Sequence, residues 1–251
     1  MHVARMLLLG IAILALAAAC WLTGCGSSKP AAPSADAAAA APTDSPIASA
    51  PAAAAKQRPP RRAPVDPIVV LHTTAGDIQV QLFREKAPRT VDNFLQSYAE
   101  RKFYEGTIFH HIEPGTMIIA GGYTEDLSPK ETRSPVYNEA RNGLKNKRGT
   151  IAMIRDATNA HSATSQFFIN LADNPGLDCR PEEIPAEFAN ASSAGVDPPT
   201  SDEVWGYCVF GEVIAGMDVA DRIGQSEVAP QGDFVSVPVA TVAIRSVEQI
   251  R

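Results

Sequence analysis

The chain has 251 residues, 45% hydrophobic and 20% charged, with a formal net charge of −6, and that hydrophobic content excludes disorder throughout. The charge is uneven: residues 1–66 carry six basic and three acidic side chains, residues 67–251 sixteen and twenty-five. An acidic globular part argues against nucleic acid as the main partner, because phosphate binding needs a basic face, and the absence of a repeat at a fixed period argues against solenoids and propellers.

Met1–Arg5 is a short positive start, Met6–Ala19 is an almost unbroken apolar run, and Leu22-Thr23-Gly24-Cys25 closes it. This is the layout of a secretory signal, here residues 1–24. The last four residues resemble the bacterial lipobox, so Cys25 is expected to be lipidated and to become the mature N-terminus. The competing readings are an uncleaved membrane helix, slightly short of the roughly 20 apolar residues a span needs, and processing at Cys20, where Ala17 is a poor match. Gly26, rather than Asp, follows the cysteine. The expected place is therefore the cell envelope, facing the periplasm, with the outer membrane favoured over the inner.

Ser27–Asp66 holds 15 Ala and eight Pro in 40 residues. Prolines at this density interrupt every helical turn, so residues 25–66 read as a lipidated cysteine and a tether, spanning roughly 35 Å as a coil and about 120 Å drawn out. Lys56, Arg58, Arg61 and Arg62 near its end read as a solvated hinge or as a contact with a membrane surface or cell wall.

From Pro67 onward the pattern is globular. Ile68–Thr73 and Ile78–Phe83 flank Ala75-Gly76 and predict a hairpin. Pro88 suits a first helical position, and Val91, Phe94, Leu95 and Tyr98 follow at helical spacing. Thr107–Ile112, Met117–Ala120, Gly149–Ile154, Phe167–Leu171, Tyr207–Val213 and Val239–Val247 are short strand candidates, and Met217–Ile223 a short helix. Eight strand runs, two helices and no regular βαβ alternation predict an all-β antiparallel barrel.

Thr107-Ile108-Phe109-His110, Asn138-Glu139-Ala140, Asn142-Gly143-Leu144, Arg148-Gly149-Thr150-Ile151-Ala152-Met153, Ser165-Gln166-Phe167-Phe168-Ile169-Asn170 and Gly206-Tyr207-Cys208-Val209-Phe210 occur in that order. In order and spacing they resemble the bacterial cyclophilins, from about Val69 to Val247. The resemblance implies a closed eight-stranded antiparallel β-barrel capped by two α-helices, an outer groove for proline-containing polypeptides, peptidyl-prolyl cis-trans isomerase activity, and no metal or cofactor. His110 and His111 do not revive a metal, since neighbours on a strand point to opposite faces and chelate poorly.

Rotation of a peptide bond is opposed by about 18–20 kcal/mol, and X–Pro isomerisation takes tens to hundreds of seconds. A catalyst needs an apolar slot for the proline ring and a donor aimed at the twisted amide. By resemblance Phe168 is the pocket floor, Met117 a lining residue, Leu177 the leucine of the next loop, Gln166 a backbone-contacting glutamine and Tyr207 a wall residue; the plainer alternative for Phe168, Met117 and Leu177 is core packing. The family's donor arginine falls on His111, its second pocket phenylalanine on Thr116, its orienting glutamine on Ile119, the next glycine on Ala120 and the rim tryptophan on Gly176. No glutamine occurs between Gln96 and Gln166, so a one-residue bulge cannot restore it. His111 is then the candidate residual donor, with one N–H when neutral and two when charged, and Phe168 its catalytic neighbour. Arg155 reads either as a side chain reaching into the groove or as a solvated rim charge.

Asp178–Trp205 carries seven acidic residues and one basic, Arg180; it reads as a lid, a partner-selecting surface or a tolerated insertion. Cys179 and Cys208 stand at its ends, where an oxidising compartment would permit a disulfide, although Cys208 occupies a strand position where the family has a buried free cysteine or valine. The expected activity is an envelope peptidyl-prolyl isomerase of weak turnover, assisting the folding of extracytoplasmic proteins. The alternatives are a module that binds proline segments or a partner protein without isomerising them, and a scaffold that uses only the acidic loop.

Overall fold

Alternating apolar residues on either side of a glycine turn form the first hairpin, β1 (Ile68–Thr73) and β2 (Gly76–Leu82). Gly76 takes φ +131°, and the Thr73 hydroxyl closes the turn by donating to the Gly76 carbonyl and accepting from the Ala75 amide. The computed structural model describes residues 66–183 and 202–250. The signal, Cys25, the tether and residues 184–201 of the acidic loop lie outside the described residues.

Helix α1 (Pro88–Asp92) continues as a π-helical stretch over Asn93–Tyr98 and a 3-10 turn over Ala99–Arg101. The predicted stripe is present, with Val91, Phe94, Leu95 and Tyr98 at most 1% exposed. No residue at the start of α1 caps it. Glu139, some fifty residues away, accepts from the Arg89 and Thr90 amides and from the Thr90 hydroxyl. A carboxylate there answers both the orphan amides and the positive end of the helix.

The remaining strands are β3 (Phe109–Glu113), β4 (Met117–Ala120), β5 (Thr150–Met153), β6 (Phe167–Asn170), β7 (Val209–Ala215), β8 (Val228–Gln231), β9 (Phe234–Pro238) and β10 (Ile244–Gln249). Helix α2 (Met217–Gly224) follows β7. Eight strands form one antiparallel sheet in the order β10-β1-β2-β7-β5-β6-β4-β3, and β8 and β9 pair separately. All eight predicted runs correspond to strands of that sheet, and both predicted helices are present.

The expected full closure is corrected. The sheet curls into a half-barrel whose edges meet where Gly106 and Phe109 donate to the carbonyls of Ile244 and Val242 and Ile244 donates to Thr107. Beyond that seam β9 packs along β3, and Ser236 donates to the Ile112 carbonyl. That the last strand starts at Ile244 rather than Val239 has the same cause, because the chain around Val242 serves the seam. The β8–β9 ribbon was not predicted: Pro230 and Pro238 interrupt its apolar runs, as proline does in ordinary strands.

The main core fills the curl, with Phe94, Phe109, Ile112, Ile118, Ile151, Phe167, Ile169 and Phe210 among its buried residues. A second, smaller cluster contains Met117, Ala152, Phe168 and Val209. Alternation along the strands requires this division, since Phe167 and Phe168 must project to opposite faces. Among the described residues no helix is long and apolar enough to cross a membrane.

Candidate functional site

The second cluster lies on the outer face of the sheet, and strand register places the candidate residues there. His111 on β3 is the Cα partner of Ile119 on β4, and Ile119 is the partner of Phe168 on β6. Phe168 pairs with Ala152 on β5, which pairs with Val209 on β7. Directly opposed residues share a face, so His111, Ile119 and Phe168 form one row across three strands. Met117, two residues before Ile119, belongs to the same face. Ile119, Leu144, Ile154, Leu177 and Tyr207 pack around the buried four.

Phe168, expected as the pocket floor, has no exposed surface, and Met117 has 8%. The Tyr207 ring meets Phe168 edge-on, with centroids 5.7 Å apart at 83°. The accessible wall is therefore made by half-buried Ile119, Ile154, Leu177 and Tyr207. Thr116 is half-buried where the β3–β4 turn enters β4. Its amide donates to Glu113, and its carbonyl accepts from Leu171 and from the Asn174 side chain. Its backbone is thus fixed, but it brings no ring to the slot.

Gln166 precedes β6, and its carbonyl accepts from the Ile154 amide at 2.9 Å. Its side chain lies across Gly122, where an added Cβ would come within 2.5 Å of Gln166 Cγ; glycine at 122 makes room for it. Leu177 ends a 3-10 turn over Pro175–Leu177, and its carbonyl accepts from the Tyr207 amide at 2.9 Å. Arg180 likewise donates to the Val204 carbonyl at 2.9 Å, so the two ends of the acidic loop are stapled side by side at the slot wall.

Arg155 is not a solvated rim charge. It is buried, with 8% exposed. Nε donates to the Gly206 carbonyl at 2.9 Å and Nη1 to the Asp156 carbonyl at 2.7 Å, and the guanidinium carbon sits 4.8 Å from the Tyr207 ring centroid. The Asn138 side chain donates to the same Gly206 carbonyl. Gly206 itself has φ +59°, and a Cβ would stand 2.4 Å from the Cys179 amide nitrogen. Arg155 therefore secures the corner that holds Tyr207 against Phe168. No local pattern carries this, because Gly206 and Tyr207 lie some fifty residues away.

His111 Nε2 stands 3.9 Å from Glu113 Oε2. Burial lowers the His111 pKa from its ordinary 6.5, and Glu113 partly opposes that shift. A β-bulge separates His110 from this row; its ring packs on Tyr123 and Phe234 instead. Burial, with His111 alongside, lowers the His110 pKa to about 4.

Cys179 and Cys208 are free thiols, both buried. Burial pushes Cys179 up to about 11 and Cys208 up to about 12, so little of either is thiolate at neutral pH. Cys208 Sγ lies 3.5 Å from the Thr90 hydroxyl oxygen, on the main-core side.

Sequence reasoning missed Ile154, Leu144 and Glu113. Strand alternation from Ala152 and from His111 was the available signal for the first and last, since residues two apart share a face. Leu144 lies in irregular chain, where no period applies.

The sequence profile of the cyclophilin type peptidyl-prolyl cis-trans isomerase/CLD family matches residues 68–249. Peptidyl-prolyl cis-trans isomerase B of Escherichia coli K12 is 44% identical over 180 residues, 72% of this chain and 98% of that protein. Peptidyl-prolyl cis-trans isomerase A of Dickeya dadantii is 42% identical over 183 residues, 73% of this chain and 84% of that one. A cyclophilin type peptidyl-prolyl cis-trans isomerase from Cryptosporidium parvum, crystallised in the presence of the dipeptide Ala-Pro, shares the fold with a TM-score of 0.52 at 21% identity, covering 73% of this chain and 99% of that one. With the family's profile spanning nearly all of the folded part and relatives above 40% identity along it, the chain belongs to the cyclophilin-type peptidyl-prolyl cis-trans isomerases.

Proposed function

We propose that this member isomerises X–Pro bonds with weak turnover, and that it acts at the cell envelope on proline-containing extracytoplasmic polypeptides. One observation carries the first part: the outer-face row reads His111–Ile119–Phe168, with an imidazole and an apolar side chain at the two positions where the family's donor arginine and orienting glutamine are expected. A donor aimed at the proline nitrogen lowers the barrier by stabilising the pyramidal, non-conjugated amide. An imidazole has shorter reach than a guanidinium, and the apolar Ile119 side chain gives it nothing to lean on. The covered Phe168 adds to this, because a proline ring must displace Tyr207, Leu177 or Ile119 to touch it.

The same covered floor favours a second reading, a module that binds proline segments on its apolar wall without turning them over. A protease-coupled assay on Xaa-Pro peptides, run beside calorimetric binding of the same peptides, separates the two. Weak turnover with measurable binding supports the proposal; binding with no rate above buffer supports the module. The Ala-Pro dipeptide used with the Cryptosporidium protein makes an Ala-Pro peptide the natural first probe.

The envelope assignment rests on Leu22-Thr23-Gly24-Cys25. Cys25→Ser is expected to leave an unprocessed or mislocalised precursor, read as a mobility shift and loss from the detergent phase. Normal processing and normal detergent partition of that variant would rule out the lipid anchor.

A further inference from the structure

His111 and Glu113 are two residues apart on β3, which puts both side chains on the outer face. Their side chains are 26% and 39% exposed, and Nε2 and Oε2 are 3.9 Å apart. That separation suits an ion pair and exceeds a hydrogen bond. Across the ladder they face uncharged partners, Ile119 opposite His111 and Met117 opposite Glu113. On the other side of β3, β9 (Phe234–Pro238) carries no titratable side chain. Helix α2 also touches β3, but it buries Val219, Ala220 and Ile223 in the main core, while Asp218 pairs with Arg222 and Asp221 with Arg148. His110, the adjacent residue, is buried and oriented to Tyr123 and Phe234. Among the described residues packed around His111, Glu113 is thus the acidic group at ion-pair distance.

We propose that Glu113 is a positioning residue for the isomerase reaction: its carboxylate attracts the Nε2 edge of His111, leaving Nδ1 as the edge that meets a bound X–Pro amide. This rests on His111 being the residual donor. When the neutral imidazole carries its proton on Nε2, Nδ1 is an acceptor and offers the amide nitrogen nothing. Protonation adds the Nδ1–H, and the donor then exists. Turnover therefore follows the imidazolium, rising as pH falls through the His111 pKa, which burial keeps below 6.5. The carboxylate opposes that depression, so it also sets where the rise begins. The position is specific to this chain's reworked row, because a carboxylate two residues beyond the donor matters only to a donor that titrates.

The test pairs a direct titration with a rate profile on the mature protein. Imidazole nitrogen NMR, with the His111 signal assigned from its loss in His111→Asn, reports tautomer and pKa. The acidic limb of kcat/KM for an Ala-Pro peptide reports the donor. In wild type the Nε2–H tautomer should dominate and the limb should share the His111 midpoint. Glu113→Gln should move both midpoints down together, because the carboxylate it removes raises the His111 pKa. Glu113→Asp, which keeps the charge one methylene short, should fall between. A wild-type limb that does not track His111 would overturn the donor reading and this proposal with it. A limb that tracks His111, with both midpoints unmoved in Glu113→Gln, would leave the donor standing and overturn the role of Glu113 alone.

Discussion

His111→Arg, Thr116→Phe and Ile119→Gln together are expected to raise kcat/KM on proline peptides roughly a hundredfold or more, the scale of restoring one preorganised donor. The increase should appear in rate far more than in peptide affinity, because the donor acts on the twisted amide and hardly on the planar one. Register makes the design coherent: positions 111 and 119 are cross-strand partners, so an amide at 119 stands beside a guanidinium at 111 and can orient it. His111→Arg alone should achieve much less. It places a charge against Ile119, which desolvates it, and within reach of Glu113, which would draw it off the slot. Thr116→Phe supplies the ring missing from the slot at a position whose backbone is already pinned by Leu171 and Asn174. Wild-type turnover equal to that of an arginine-containing relative would refute the premise of a weak donor. A folded triple variant with no gain would mean that Tyr207 and Leu177 keep the Phe168 floor shut.

Acid should cost this domain more stability than its exposed carboxylates explain, and His110 is the reason. The residue is 4% exposed, and Nδ1 is buried without a hydrogen-bond partner. Its folded pKa is lowered to about 4, by burial first and then by the neighbouring His111, against smaller opposing contributions from Ile108 and Gln166. The unfolded chain binds this proton near 6.5. Between those two values the unfolded state holds the proton and the folded state does not, so stability is complete above pH 6.5 and lost as pH falls toward 4. The full loss is about 3 kcal/mol, taking 1.36 kcal/mol per pKa unit. His110→Phe, among Tyr123 and Phe234, removes the titrating group while keeping a flat ring. Urea unfolding of both proteins at pH 7 and pH 4.5 checks this: the variant should lose markedly less stability than wild type. Equal losses would place the acid sensitivity elsewhere, with His111 next in line because burial depresses it too.

Much of this protein is determined one element at a time. The stripe Val91, Phe94, Leu95 and Tyr98 is visible because a helix repeats every 3.6 residues, and the eight strand runs are visible because apolar β-formers sit between glycines, prolines and asparagines. That His111, Thr116 and Ile119 stand where an arginine, a phenylalanine and a glutamine are expected follows from the resemblance to the cyclophilins, aligned over an ungapped stretch of sequence. Other properties depend on contacts between distant parts of the chain. Arg155 is buried because the Gly206 carbonyl returns to it fifty-one residues later. The α1 start is capped by Glu139 because the chain between them folds back to the helix. Phe168 loses its exposure to Tyr207, whose amide is tied to the Leu177 carbonyl across the acidic loop. The His110 pKa is lowered by burial because a bulge takes it out of alternation and packs it on β9. Periodicity reports which face a side chain takes; burial, pKa and reach depend on what closes over that face, and here the closing groups come from distant parts of the chain.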